Sequence, residues 1–151
     1  MLRQAFTDRL KDAMKARNVR TVSTVRLILA ALKDRDVAAR GEGNTAGLGD
    51  PDIARMLQAM IKQRRESIVL YEQGNRPDLA QQENVEIAVI ESFLPTQMTD
   101  DEITTAAQSA IAETGAAGIR DMGKVMAALR QRHAGSMDFS RAGAIVRHLL
   151  G

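Results

Sequence analysis

The chain has 151 residues, 21 Lys and Arg against 19 Asp and Glu, and neither Cys nor Trp. Its length suits one domain or two small ones, and 44% apolar with 26% charged residues excludes wholesale disorder. Without cysteine there are no disulfides, thiolate metal sites or cysteine nucleophile, and no apolar run nears the ~20 residues of a membrane helix.

The charged start, Met1-Leu2-Arg3-Gln4-Ala5-Phe6-Thr7-Asp8, does not read as a signal peptide. A soluble, cytoplasmic protein with no membrane partner is the expectation. Almost every apolar pattern has a period near 3.6, and none alternates with period two. Leu2, Phe6, Leu10 and Met14 climb one face of a first helix, which breaks at Arg17-Asn18-Val19. Val22, Val25, Ile28, Leu29 and Leu32 mark a second helix running to about Arg40. Gly41 to Gly49 has four glycines and no apolar period, so it reads as a mobile surface loop.

Asp50 is expected to cap the start of a third helix, with Pro51 at its first position. Ile53, Leu57, Met60, Ile61, Ile68 and Tyr71 give that helix a buried face, and Gly74 is expected to close it in a left-handed conformation. A fourth helix begins near Pro77, carries Leu79, Val85, Val89, Ile90 and Phe93, and stops at Leu94-Pro95. A domain boundary is expected near Thr96. Beyond it, Thr99-Asp100-Asp101-Glu102 is a capping box that opens a fifth helix closed by Gly115. Gly118 and Asp121 suggest the next start, and Asp138 can cap a last helix. The expected fold is all-α: about four helices in residues 1–95, followed by a three-helix bundle in 96–151.

Chemistry is sparse in this pattern. His133 and His148 sit late, with no Gly-x-Ser-x-Gly elbow and no His-Glu-x-x-His spacing. The glycine loop lacks Gly-Lys-Ser/Thr and a preceding strand, so a connection is favoured over a phosphate loop. Glu83 and Glu86 share a helix side and read as a solvated pair, or as partners of Arg76. Met56 with Met60 and Met122 with Met126 read as core packing. No catalytic residue, metal site or cofactor is expected.

Charge is unevenly distributed along the chain. Residues 3–40 hold ten cations and four anions, a net +6; residues 72–102 net −7; residues 113–151 net +3. Such asymmetry can mark a polyanion-binding face, or basic and acidic segments that pack side by side. On the third helix Arg55, Lys62 and Arg65 fall on one side with Arg64 just off it, while the sixth carries Lys124, Arg130 and Arg132. The candidate RNA contacts are Lys62, Arg64, Arg65, Lys124, Arg130 and Arg132. The competing reading is a solvated face with local pairs such as Asp8–Lys11 and Asp12–Lys15. Aromatic content of 3% speaks against base stacking, so any RNA would be recognised by shape and backbone.

Several strings in order resemble the YqeY-like (GatB/YqeY) family. They are Leu10-Lys11-Asp12-Ala13-Met14-Lys15-Ala16, Thr24-Val25-Arg26-Leu27 and Lys62-Gln63-Arg64-Arg65-Glu66-Ser67, then Arg76-Pro77-Asp78-Leu79, Glu83 with Glu86-Ile87, Phe93-Leu94-Pro95 and Asp121-Met122-Gly123-Lys124-Val125-Met126. The family pattern has Asp-Gly where this chain has Asp138-Phe139. The resemblance implies a helical N-terminal domain and a C-terminal domain similar to the tail of the B subunit of tRNA-dependent amidotransferase, which grips tRNA. It therefore implies a non-catalytic tRNA-binding protein, partnered by tRNA and by a tRNA-charging or amidating enzyme. The alternatives are a carbon–nitrogen ligase with glutamine as amido donor, alone or as a subunit, and a helical protein-interaction module.

Overall fold

The computed structural model describes residues 1–151 and is all-helical. It divides into two compact units, Met1–Leu94 and Pro95–Gly151. The first holds α1 (Leu2–Lys15), α2 (Val19–Gly41), α3 (Asp50–Gln73) and α4 (Pro77–Glu91). The second holds α5 (Asp100–Thr114), a 3-10 turn (Ile119–Asp121), α6 (Met122–Arg132) and α7 (Phe139–Leu150). No helix is long and apolar enough to cross a membrane.

In the first unit α1 folds back on α2 and α3 on α4, and α2 also packs on α4. Phe6, Val25, Ile28, Ile53, Met56, Leu57 and Ile90 are fully buried at their junction, removing from water the apolar stripes that the 3.6 period created. The rings of Phe6 and Phe93 meet edge to face, 4.8 Å apart at 83°, a geometry favoured by the aromatic quadrupole. Met14 is not part of this face. It is 52% exposed, and Ala13 takes the buried place beside it.

The helix ends explain the remaining turns. Arg17 adopts a positive φ of 55° between α1 and α2, and the Asn18 side chain then accepts the Thr21 N–H to cap α2. At the end of α3 the left-handed residue is Asn75, φ 56°, whereas Gly74 stays at −83°. Asparagine tolerates that region, and the turn that places it there delivers the Arg76 N–H to the Tyr71 carbonyl at 2.8 Å. Asp50 is not the cap of α3 either. Gly49 holds that position, and the Asp50 carboxylate instead accepts the Leu2 N–H at 3.3 Å.

The expectation of a mobile glycine loop is also corrected. Arg3 forks onto Asp36 at 2.7 and 2.8 Å and donates to the Leu48 carbonyl at 2.9 Å, while Asp36 accepts the Leu48 N–H at 3.0 Å. The loop is thus fastened at its far end to both α1 and α2. Gly47 is required there: its φ is 83°, and a Cβ would lie 2.8 Å from Asp36 Oδ1 and 2.9 Å from Arg3 Nη2.

In the second unit α5, α6 and α7 pack pairwise around Ile103, Ala107, Ala110, Val125, Leu129, Met137, Ala142 and Val146, all fully buried. Three of those core positions are alanines on α5 and α7, which let the helices approach closely. The capping box forms, Thr99 Oγ1 accepting from Glu102 N–H and Glu102 accepting from Thr99 N–H. Gly115 closes α5 at φ 68°, and Asp138 caps α7 through the N–H groups of Ser140 and Arg141.

The Asp36 clamp has a pH signature. The hydrogen bond from Arg3, reinforced by the Leu48 N–H, holds the Asp36 carboxyl down to about 2 from its ordinary 3.8. A depressed value in the folded state means that the contribution is complete above about pH 4 and fades as the pH falls towards 2. Thermal melts should show Asp36→Asn less stable than the parent by a constant margin at neutral pH, with the margin closing below about pH 4. A margin independent of pH would show that the charge is not what matters.

Candidate nucleic-acid interface

The six cations singled out by sequence fall into two groups, one in each unit. On α3, Lys62 is exposed and makes no ion pair. Arg64 points the other way, into the seam with α4. Its Nε donates to Glu86 at 3.0 Å, its Nη1 to the Met60 carbonyl at 3.2 Å, and Glu83 lies 3.9 Å away. Only 12% of that side chain is exposed. The partner of the Glu83–Glu86 pair is therefore Arg64, not Arg76, which instead forks onto its neighbour Asp78.

Arg65 reaches across to Glu91 at 3.2 Å, a half-exposed pair, and Arg55 pairs with Asp52 one turn earlier. The net −7 of residues 72–102 is thus answered in part by α3, because α4 carries Glu83, Glu86 and Glu91 on the side that faces Arg64 and Arg65. Burial, with the Glu86 charge beside it, raises the Glu83 carboxyl above its ordinary value, and Arg64 opposes the rise.

In the second unit, Lys124 projects from the first turn of α6, 71% exposed, with only Asp121 near it at 4.0 Å. Arg130, at the far end of the helix, is exposed and lies over the Phe139 ring, 5.8 Å from its centroid. That contact holds the guanidinium plane without occupying its donors with a carboxylate. Arg132 is paired with Glu113 of α5. His133 forms the C-cap of α6 and, with Arg132, Ser109, Asp101 and Glu102, lines an open depression of about 530 Å³. His148 is exposed on α7. No three His, Cys, Asp or Glu side chains converge as metal ligands would.

The arrangement sorts the six residues by what they have left to offer. Lys62, Lys124 and Arg130 present donors to solvent; Arg65 and Arg132 share theirs with a half-exposed carboxylate; Arg64 is a cross-brace of the α3–α4 hairpin. The expected local pairs Asp8–Lys11 and Asp12–Lys15 do not form, and Asp8 accepts instead from Gln4. Further cations without an ion pair lie on α1 and α2, the segment of charge excess, outside the six candidates. The signal was present, since Arg26, Lys33 and Arg40 recur every seven residues.

Comparison with known proteins finds that a family model described as Yqey-like protein matches residues 3–150. An uncharacterised protein of Schizosaccharomyces pombe is 28% identical over 94 residues, covering 62% of this chain and 72% of that one. Two proteins named altered inheritance of mitochondria protein 41, mitochondrial, are also similar. That of Lachancea thermotolerans is 31% identical over 56% of this chain and 43% of its own length. That of Eremothecium gossypii is 30% identical over 60% of this chain and 51% of its own. The match thus spans about half the length of these two relatives.

The bracing role of Arg64 can be measured. Arg64→Met removes the cation and leaves Glu83 and Glu86 side by side, which should lower stability by about 1–3 kcal/mol at pH 7. Because the Glu83 value is already raised, and rises further without Arg64, acidification should protonate it and shrink the deficit. Denaturant melts at pH 7 and pH 5 check this; an equal deficit at both would assign Arg64 a packing role alone.

Proposed function

The chain belongs to the YqeY-like family, and from that premise we propose that it is a non-catalytic tRNA-binding protein. The observation that carries the reading is the pair Lys124 and Arg130. Both are exposed at opposite ends of α6, in the unit that resembles the tRNA-gripping tail of the amidotransferase B subunit. A helix with cations near its two ends can bridge phosphates on a folded RNA without reading its bases.

Lys62 adds a third exposed cation, on α3. Arg65 and Arg132 serve as secondary contacts, exchanging a half-exposed carboxylate for a phosphate; such surface pairs are worth little and are readily traded. Arg64 supports Lys62 indirectly, by fixing α3 against α4. Lysine supplies a strongly hydrated point charge, whereas Arg130 presents a planar fork suited to bidentate phosphate contact. The fitting protein partner is a tRNA-charging or amidating enzyme, and a cysteine-free chain suits the reducing cytoplasm. Neither histidine makes the side-chain hydrogen bond that orients a general base, which favours binding over catalysis.

Filter binding of bulk tRNA at 50 and 200 mM salt tests the proposal. Binding should weaken steeply with salt, and Lys124→Gln with Arg130→Gln should reduce the slope of log affinity against log salt by about 1.4 to 1.8. Absent binding at low salt, or binding indifferent to salt, would refute it. Purified protein should show no ATP- and glutamine-dependent amidation of Glu-tRNA; turnover would make the chain a carbon–nitrogen ligase. Co-purification with a stable protein and no nucleic acid would favour an interaction module.

A further inference from the structure

From Ala13 to Lys33 the chain carries five cations and not one anion, a segment that folds into the end of α1, the turn and the first two thirds of α2. Within and beyond it, Arg26, Lys33 and Arg40 stand seven residues apart on α2. Seven residues are close to two turns, so the three side chains form a row with steps of about 10.5 Å. All three are exposed and none makes an ion pair.

The row borders the seam with α1. Lys33 and Arg40 line an open cleft of about 280 Å³ together with Arg3, Leu29, Asp36 and Val37. Its one acid, Asp36, is already answered by the Arg3 fork. Across the seam, Lys11 lies eight residues from Arg3, about 80° round α1, whereas Asp8 and Asp12 lie about 140° and 180° away. Asp34 likewise projects about 100° round α2 from Lys33. Apart from Asp36, which Arg3 holds and whose charge Arg40 also feels, the acids of this hairpin are thus turned off the seam, and no cation of the row has a carboxylate at ion-pair distance.

We propose that the α1–α2 seam, centred on Arg26, Lys33 and Arg40, is a second contact surface for the phosphate backbone of RNA. This rests on the RNA-binding reading above and extends it to a face of the N-terminal unit that carries none of the six cations discussed there. A regular row of unpaired cations fits a chain of phosphates, which can engage several at once and release counterions with each contact. An acidic membrane surface fits less well. A membrane-surface helix turns a continuous apolar face outward, whereas the apolar face of α2 is buried and its outward side carries Ser23, Ala30 and Ala38 among the scattered Val19, Leu27 and Val37.

The test uses full-length protein, bulk tRNA and vesicles of phosphatidylserine, with the triple variant Arg26→Gln, Lys33→Gln, Arg40→Gln and the single Lys33→Gln. All three positions are exposed, so circular dichroism should show the fold retained, and the single variant reports in any case. If the seam binds RNA, the triple variant should lose about tenfold or more in tRNA affinity at low salt and about 2 to 2.7 from the salt slope. The single variant should lose about 0.7 to 0.9 from the slope. Parental binding that is unchanged in both variants would overturn this inference while leaving the α6 reading intact. No tRNA binding by the parent would remove both. Vesicle binding lost in the triple variant, with tRNA binding untouched, would make the seam a lipid surface and overturn the inference as well.

Discussion

A guanidinium with two carboxylate oxygens in reach has few donors left for a phosphate, and this competition decides what each cation of the chain does. Arg3 gives its fork to Asp36 and a further donor to the Leu48 carbonyl; Arg64 gives its own to Glu86 and the Met60 carbonyl. Both are structural in consequence. The first fastens the loop after α2, and the second joins α3 to α4. Lys124 and the α2 row face solvent instead. Since water competes poorly with a phosphate chain that also releases counterions, those are the groups from which affinity for a polyanion would come. Net charge misses the distinction altogether, because +2 counts an arginine locked in a seam and a lysine in solvent alike.

The acidic segment gains a role from the same competition. Glu83, Glu86 and Glu91 sit on α4 where α3 packs, so they absorb Arg64 and Arg65. Glu83 also carries a desolvation penalty, visible as its raised carboxyl value. Removing the carboxylates would free cations, but it would also loosen the hairpin that positions Lys62. Part of the charge segregation along the chain is therefore internal pairing written out in sequence order. The excess on α1 and α2 is different, since no acidic segment packs against its outer side.

Much of this was legible from residues alone because helices announce themselves through local rules. The period of Val25, Ile28 and Leu32, the capping box at Thr99 and the cap at Asp138 depend on neighbours within one or two turns, whereas α4 ends at Glu91, short of the stop expected at Leu94-Pro95. The misreadings have one cause in common. Gly41 to Gly49 has local hydrogen bonds through Asn44, but its tie to α1 comes from Arg3, some 45 residues away in sequence. Glu83 and Glu86 could not be matched to Arg64 rather than Arg76 until the α3–α4 hairpin set the distance. Asn75 took the left-handed turn beside a glycine that could have done so. Candidate cations were legible as a set, but which of them remain free is a tertiary property.

The aromatic residues limit what kind of recognition is open to the molecule. Phe6 and Phe93 are consumed by each other in the core of the first unit, Phe139 lies under Arg130, and Tyr71 is half-buried on α3. No ring is therefore fully exposed as a platform for an unstacked base. The outward surfaces that carry positive charge are helical. Such surfaces can match the spacing and curvature of a folded backbone, and would read an RNA by shape rather than by base identity. On the proposed tRNA-binding reading, finer selectivity would come from whatever else holds the RNA, and an enzyme already bound to a particular tRNA would suit this chemistry best.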